Sequence, residues 1–355
     1  MLSELRRASG YLFVLMPPAL LVVGMWLHIP ALAFIFLIVV APALRALFGD
    51  AENQPAWSEQ VATGLELLPP LVACAILASL AHTQWMLRRA NMTTGDLIQL
   101  GASLWAVCIF ASCVAHELTH RRSQRSRNLG RLLSGAMGYP LAEHEHRMHH
   151  RKGGDVAGAE WPAISESVWR FAARRSVRVF RTAWESDRLE AAARGHRLAG
   201  GLPLACAASG ATALGFFLAK GAAGGLLYLV VALAVSWTLQ AITYVQHWGL
   251  GDSGVSNAGT GYAWEDQCQL QAWLTLSISY HQAHHRQPTT AYYRLDAMPG
   301  SPRQPAGYVI LLFASLAPPL WRALMLPALV HWKQSPNAHL SAGRSLICFA
   351  KNRVK

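Results

Sequence analysis

The chain has 355 residues, 53% hydrophobic and 14% charged, with a formal net charge of +12. A soluble globular protein carries roughly 25% charged residues, so an ordinary water-soluble fold is excluded and a polytopic membrane protein is favoured. The basic balance fits cytoplasmic loops that obey the positive-inside rule better than it fits nucleic-acid binding.

The first residues, MLSELRRASGYLFVLMPPALLVVGMWL, combine a basic start with an apolar run. Together with Ala31-Leu32-Ala33 they have the make-up of a signal peptide. A second apolar run follows almost at once, which favours a helical hairpin in the membrane instead. Apolar runs of about 20 residues can cross a bilayer as helices. The runs predict helices at 11–27, 31–48, 68–87, 96–115, 202–219 and 222–246. They pair as three hairpins with turns at 28–30, 88–94 and 220–224. Segments 49–67, 116–201 and 247–355 then lie on one side. Between His116 and Gly200 there are sixteen Arg or Lys against nine Asp or Glu, which places that side and both termini in the cytoplasm. Arg88 and Arg89 in the second turn run against this trend. The run 307–325 contains Pro318-Pro319, which would break a spanning helix. It reads as a re-entrant or interfacial element, with a seventh span as the alternative. No internal repeat is present. The expectation is one domain, 1–355: an all-α integral membrane protein of six transmembrane helices under a cytoplasmic, histidine-rich helical cap.

The six cysteines form no CxxC pair, so no iron–sulfur or rubredoxin module is fused to the chain. The histidines are more informative. Ten of fifteen fall in four clusters: 116-HELTH-120, 144-HEHRMHH-150, His247, and 281-HQAHH-285. Residues i, i+3 and i+4 share one helix face, so His116 and His120 can grip one ion. The same holds for the triplets His146-His149-His150 and His281-His284-His285. His247 closes the sixth apolar run. All four clusters sit at or beyond a cytoplasmic helix end, where neighbouring helices can bring them together. Nine imidazoles exceed what one ion takes and suit two metal ions. Imidazole serves iron, copper, zinc and nickel alike. An apolar substrate whose C–H bonds need oxidation favours iron with O₂. HELTH alone also fits a zinc protease with Glu117 as base, and a metal transporter is the non-enzyme alternative. The protease reading is weakened by the three further clusters, and the transporter reading by ligands that lie at helix ends rather than inside them.

These motifs resemble the membrane-bound histidine-rich diiron family, which includes alkane 1-monooxygenases, xylene monooxygenases and, more distantly, fatty-acid desaturases. HELTHRR looks like the family's HELxHK, TYVQHWGL like its NYxEHYGL, and SISYHQAHH like its LQRHSDHH. Ala46-Leu47-Phe48-Gly49-Asp50, the MPGSPRQPAGY run from Met298 to Tyr308, and the SESVWRF…AW…RLEAAARG segment carry the likeness over most of residues 40–330. The family's second motif is EHxxxHH, one residue longer than here. His146 is assigned because Glu145-His146 keeps the Glu-His pair, with His144 as runner-up. Gln246, Tyr280 and Ala283 replace the family's Glu, Arg and Asp beside the ligands.

The resemblance implies two non-heme irons held by His116, His120, His146, His149, His150, His247, His281, His284 and His285. It implies an O₂-dependent monooxygenase in the bacterial inner membrane, fed two electrons by a rubredoxin or ferredoxin with its NAD(P)H-dependent reductase. The expected reaction is hydroxylation of an alkane's terminal carbon. An aromatic-methyl or terpene hydroxylase and a desaturase are the alternatives. Leu37 falls where alkane hydroxylases carry a residue that limits chain length. An apolar channel between the first four helices, with Gly101 and Ala102 in its lining, would hold the substrate. Glu117, Glu145, Glu265 and Asp266 are candidate carboxylates for balancing the metal charge. The arginine-rich segment 121–131 is a candidate docking surface for an acidic carrier.

Overall fold

The structure is a computed structural model that describes residues 2–51, 53–193, 195, 201–251 and 263–334. Among the described residues it is helical throughout, with isolated bridges at Asp50–Cys268 and Glu265–Arg303 as the sole extended pairings.

Helix α1 (Leu2–Gly10) passes through a 3₁₀ turn into α2 (Met16–Trp26), giving one apolar rod from Glu4 to Trp26. Pro17 and Pro18 fall in the first turn of α2, where no N–H is needed. The next apolar run is not a continuous helix. It is α3 (Leu32–Ile35), a π turn, then α4 (Ala41–Arg45). Helix α5 (Glu59–Arg89) begins nine residues before the apolar run predicted at 68. Its polar first turns lie outside the hydropathy window yet make tertiary contacts: Glu66 accepts from Tyr293 and pairs with Arg121. Helix α6 (Thr94–Thr119) opens with a Thr93/Asp96 capping box, which explains its sharp start.

After α7 (Gln124–Ala136), α8 (Ala142–Arg151) and α9 (Val168–Ala193) comes α10 (Leu202–His247). It is broken at Lys220 and Gly221, the latter with φ +61. The chain doubles back there: Phe216 stacks on Tyr228 at 5.7 Å, and Ser209 Oγ lies 3.1 Å from Tyr228 Oη. This is the turn expected at 220–224. Four helices are long and apolar enough to cross a membrane: Glu4–Trp26, Glu59–Arg89, Thr94–Thr119 and Leu202–His247.

Short helices complete the cap: α11 (Gln269–Leu274), α12 (His281–Arg286), α13 (Tyr308–Ser315) and α14 (Pro318–Gln334). The run expected as one element over 307–325 is thus two helices. The Pro318-Pro319 pair opens α14 rather than kinking a single helix, because proline is tolerated in a first turn. One face of α14 packs Trp321, Met325 and Leu329 against Tyr244, Trp248 and Leu250. Leu320, Leu326 and Val330 stay exposed on its other face.

The cap is anchored where glycine lets backbones meet. A Cβ at Gly135 of α7 would stand 2.1 Å from the Ala205 carbonyl oxygen of α10. Because the obstacle is backbone, Gly135→Ala should force the helices apart and destabilise by about 1–3 kcal/mol. A thermal unfolding midpoint equal to wild type in the same detergent would contradict this packing.

Candidate metal centre

The helix ends bring all nine predicted histidines together. His116 lies in the last turn of α6 and His120 caps its C-terminus. His146, His149 and His150 share one face of α8, and His281, His284 and His285 one face of α12. His247 is the final residue of α10. They sort into two groups, each with side-chain nitrogens within 4.8 Å of one another: His116, His120, His146, His150 and His284; and His149, His247, His281 and His285. His146 rather than His144 joins the first group. His144 turns away, with its Nε2 3.1 Å from Thr182 Oγ1.

All nine rings point inward through Nε2. The separations are 3.0 Å for His116–His284, 2.6 Å for His120–His146 and 2.9 Å for His150–His284. In the second group they are 3.0 Å for His149–His247, 3.1 Å for His149–His285 and 3.2 Å for His281–His285. Nitrogens bound about 2.1 Å from a common ion stand about 3 Å apart at adjacent coordination positions. Imidazoles facing one another in this number cannot all satisfy their lone pairs by mutual hydrogen bonds, since each neutral ring carries one N–H. A cation at each focus does satisfy them, so the donor set fits a metal pair.

Burial keeps the rings on α8 and α12 neutral. It pushes His146, His149, His281, His284 and His285 well below the usual histidine range, with neighbouring imidazoles adding to the effect. His150 is pushed down to about 4 by burial. Neutral imidazole is the form that binds metal.

The carboxylates predicted near the site are committed to protein partners. Glu117 pairs with Arg121 at 2.8 Å, and Asp266 with Arg45 at 2.8 Å. Glu145 accepts from Tyr139, from Gln240 at 3.0 Å and from Arg175 at 3.1 Å. Glu265 accepts from Ser301 at 2.5 Å and from the Ala283 N–H at 3.2 Å. That last bond satisfies an otherwise orphan donor in the first turn of α12, so Glu265 holds the HQAHH helix in place. Gln246 donates to Tyr308 Oη at 3.1 Å, and its carbonyl accepts from Trp264.

Three residues escaped the sequence reading. Arg175, on the charged helix α9, is buried between Glu145 and Glu160, 3.0 Å from the latter. Glu160 also lies 4.0 Å from His149 Nδ1. Trp161 stacks on His247 at 4.8 Å. A buried arginine in a run of arginines carries no local signal, and Glu160 and Trp161 sit in a loop without periodicity.

A small cavity of about 140 Å³ touches the cage, lined by His116, His146, His149 and His281 among others. Through Cys113, Ile242, Gln246 and Ile278 it shares walls with an apolar cavity of about 460 Å³. Leu37 lines that larger cavity. Gly101 and Ala102 do not. They face a separate outer groove between α6 and the second arm of α10, not a lumen between the first four helices.

Removing Arg175 strands two buried carboxylates, so Arg175→Ala should cost about 3–5 kcal/mol by thermal or denaturant unfolding. A loss under 1 kcal/mol would show that the network is not held by this cation. For pH, the folded chain keeps His146, His149, His150, His281, His284 and His285 neutral while the unfolded chain protonates them below the ordinary histidine pKa of 6.5. The unfolded state therefore binds more protons as pH falls, and stability that is complete above pH 6.5 is lost towards pH 4. Chelator-treated protein should show a falling unfolding midpoint from pH 6.5 to 4.5. A flat profile would contradict neutral burial.

Comparison with known proteins places this architecture. The chain is 27% identical over 314 residues to an alkane 1-monooxygenase of Pseudomonas putida, covering 82% of this chain and 76% of that protein. It is 29% identical over 312 residues to alkane 1-monooxygenase 2 of Pseudomonas aeruginosa, covering 81% and 80%. It is 26% identical over 308 residues to an alkane 1-monooxygenase of Ectopseudomonas oleovorans, covering 82% and 76%. The fatty acid desaturase family model matches residues 97–328, a stretch that holds all nine converging histidines, and the protein belongs to that family.

Proposed function

We propose that this chain is a membrane monooxygenase that hydroxylates a C–H bond of an apolar substrate, with the terminal carbon of an alkane as the leading case. The observation that carries the reading is an apolar cavity of about 460 Å³ whose inner wall is shared with the cavity at the histidine cage. The names of the relatives support the same chemistry. The nine histidines would hold two irons, which would supply reductive O₂ activation and C–H oxidation when bound. The chain's own part is to keep the imidazoles neutral and aimed, to exclude water and to seat the substrate. Ile109, Phe110, Ile242 and Ile278 make the seat apolar. Leu37, on the π turn between α3 and α4, is in position to limit its length.

In this reading the chain crosses the bacterial inner membrane six times in three hairpins, forms a single domain, and keeps the cap and both termini in the cytoplasm. Electrons would come from a rubredoxin or ferredoxin served by its reductase. An open cleft lined by Arg121, Arg122 and Arg294 leads to His120, whose ring forms part of its wall. Arg121 is tied to Glu117 and Glu66, so Arg122 and Arg294 on the exposed rim would meet an acidic carrier.

Purified protein should carry two irons per chain and convert an alkane to its primary alcohol with O₂ and an electron donor. His284→Ala, which would spare a protease built on HELTH, should abolish turnover and lower the iron content. One zinc and no iron would end the reading, and an alkene product would redirect it to a desaturase. Charge reversal at Arg122 and Arg294 should slow reduction at low salt, with the difference shrinking as salt rises. An unchanged rate at low salt would remove the docking site.

A further inference from the structure

Two apolar spaces meet at one side chain. The inner cavity, of about 460 Å³, shares walls with the small cavity at the histidine cage. The outer groove, of about 530 Å³, lies between α6 and the second arm of α10, along Leu97, Ile98, Leu227 and Val230. Trp105 of α6 belongs to the lining of both. Its indole Nε1 donates to Thr238 Oγ1 of α10 at 3.0 Å. The Thr238 hydroxyl in turn donates to the Ala234 carbonyl at 2.7 Å, so its proton is committed and a lone pair is left for the indole. Phe34 of α3 braces the ring from another side, with centroids 6.3 Å apart. The bond thus fixes a large ring across the junction of the two spaces.

We infer that Trp105, latched by Thr238, is a specificity-determining residue that sets how far an apolar substrate can extend from the cage. This rests on the reading of the inner cavity as the substrate seat. Along α6 the axial distance from His116 to Trp105 is about 16 Å, at 1.5 Å rise per residue. From His116 to Ile98 it is about 27 Å by the same rise. With the latch closed the chain must lie within the nearer span. With it open, the groove becomes a continuation in which the tail of a longer hydrocarbon runs between the two helices. The stop is separate from Leu37, which lines the inner cavity from the π turn between α3 and α4 and is not part of the outer groove. It also depends on a hydrogen bond rather than on bulk alone. Removing only the acceptor leaves the indole N–H unpaired and the ring free to turn, with no change in the volume of Trp105 itself.

The test compares Trp105→Ala and Thr238→Val with Thr238→Ser, which keeps the acceptor. The readout is the ratio of kcat/KM for hexadecane to that for octane, in protein of matched iron content. A pocket that gains room for added methylenes changes discrimination by about tenfold or more. The ratio should rise by that factor in Trp105→Ala and Thr238→Val and stay at the wild-type value in Thr238→Ser. An unchanged ratio in both of the first two variants overturns the inference, as does an equal rise in Thr238→Ser. Binding is read in parallel as the shift of the unfolding midpoint by each alkane in detergent. If wild-type protein oxidises no alkane, the hydroxylase reading fails and the binding data decide the latch. Hexadecane stabilising the two variants more than wild type supports it, and equal stabilisation overturns it.

Discussion

Nine imidazoles face inward at four helix ends, and they must be neutral, aimed and dry at the same time. Burial makes the rings of α8 and α12 neutral by penalising the charged form. Aim comes from elsewhere, because a ring on a helix end can still rotate. The surroundings provide it: Glu265 satisfies the first turn of α12, Trp161 lies flat on His247, and Glu145 ties α8 to Arg175 and Gln240. Each of these supports is itself buried, so each needs a partner of its own. Arg175 and Tyr139 are in the core for that reason.

This requirement orders the rest of the fold. The apolar helices bring α6 and α10 side by side, which places His116, His120 and His247 at one level. The cap then has to deliver α8 and α12 to that level. It does so on glycine contacts such as Gly135 against Ala205, and on the aromatic layer of Tyr244, Trp248 and Trp321. The space left beside the cage is lined mainly by aliphatic and aromatic side chains from α4, α6, α10, α11 and α13. A histidine cage beside an apolar cavity arises here from ordinary helix packing plus the placement of helix ends.

Much of this was legible in advance where a pattern is local. The i, i+3, i+4 spacing of His146-His149-His150 and His281-His284-His285 states which face is shared, and each triplet does share one face. The proline pair at 318–319 announced a break and coincides with a helix start. Other features were hidden. The polar first turns of α5 fell outside the apolar window because their partners, Arg121 and Tyr293, are distant in sequence. Glu117, Glu145, Glu265 and Asp266 read from the sequence as charge near the site, and only the packing shows that they bind arginines, hydroxyls and backbone N–H groups. Gly101 and Ala102 have the composition of a channel lining, and helix packing asks for the same composition, so which surface they face could not be told from residue type.

The membrane-protein class, the helical periodicity of the clusters and the set of histidines that converge are readable from the residues alone, because these rest on local composition and spacing. How the nine divide into five and four, that Glu160 and Arg175 stand behind them, and that Trp105 closes the junction between two apolar spaces emerge only when the helices pack. Those are contacts between residues far apart in the chain. Their geometry depends on how helices cross and on which neighbour satisfies each buried polar group, and no single segment encodes either.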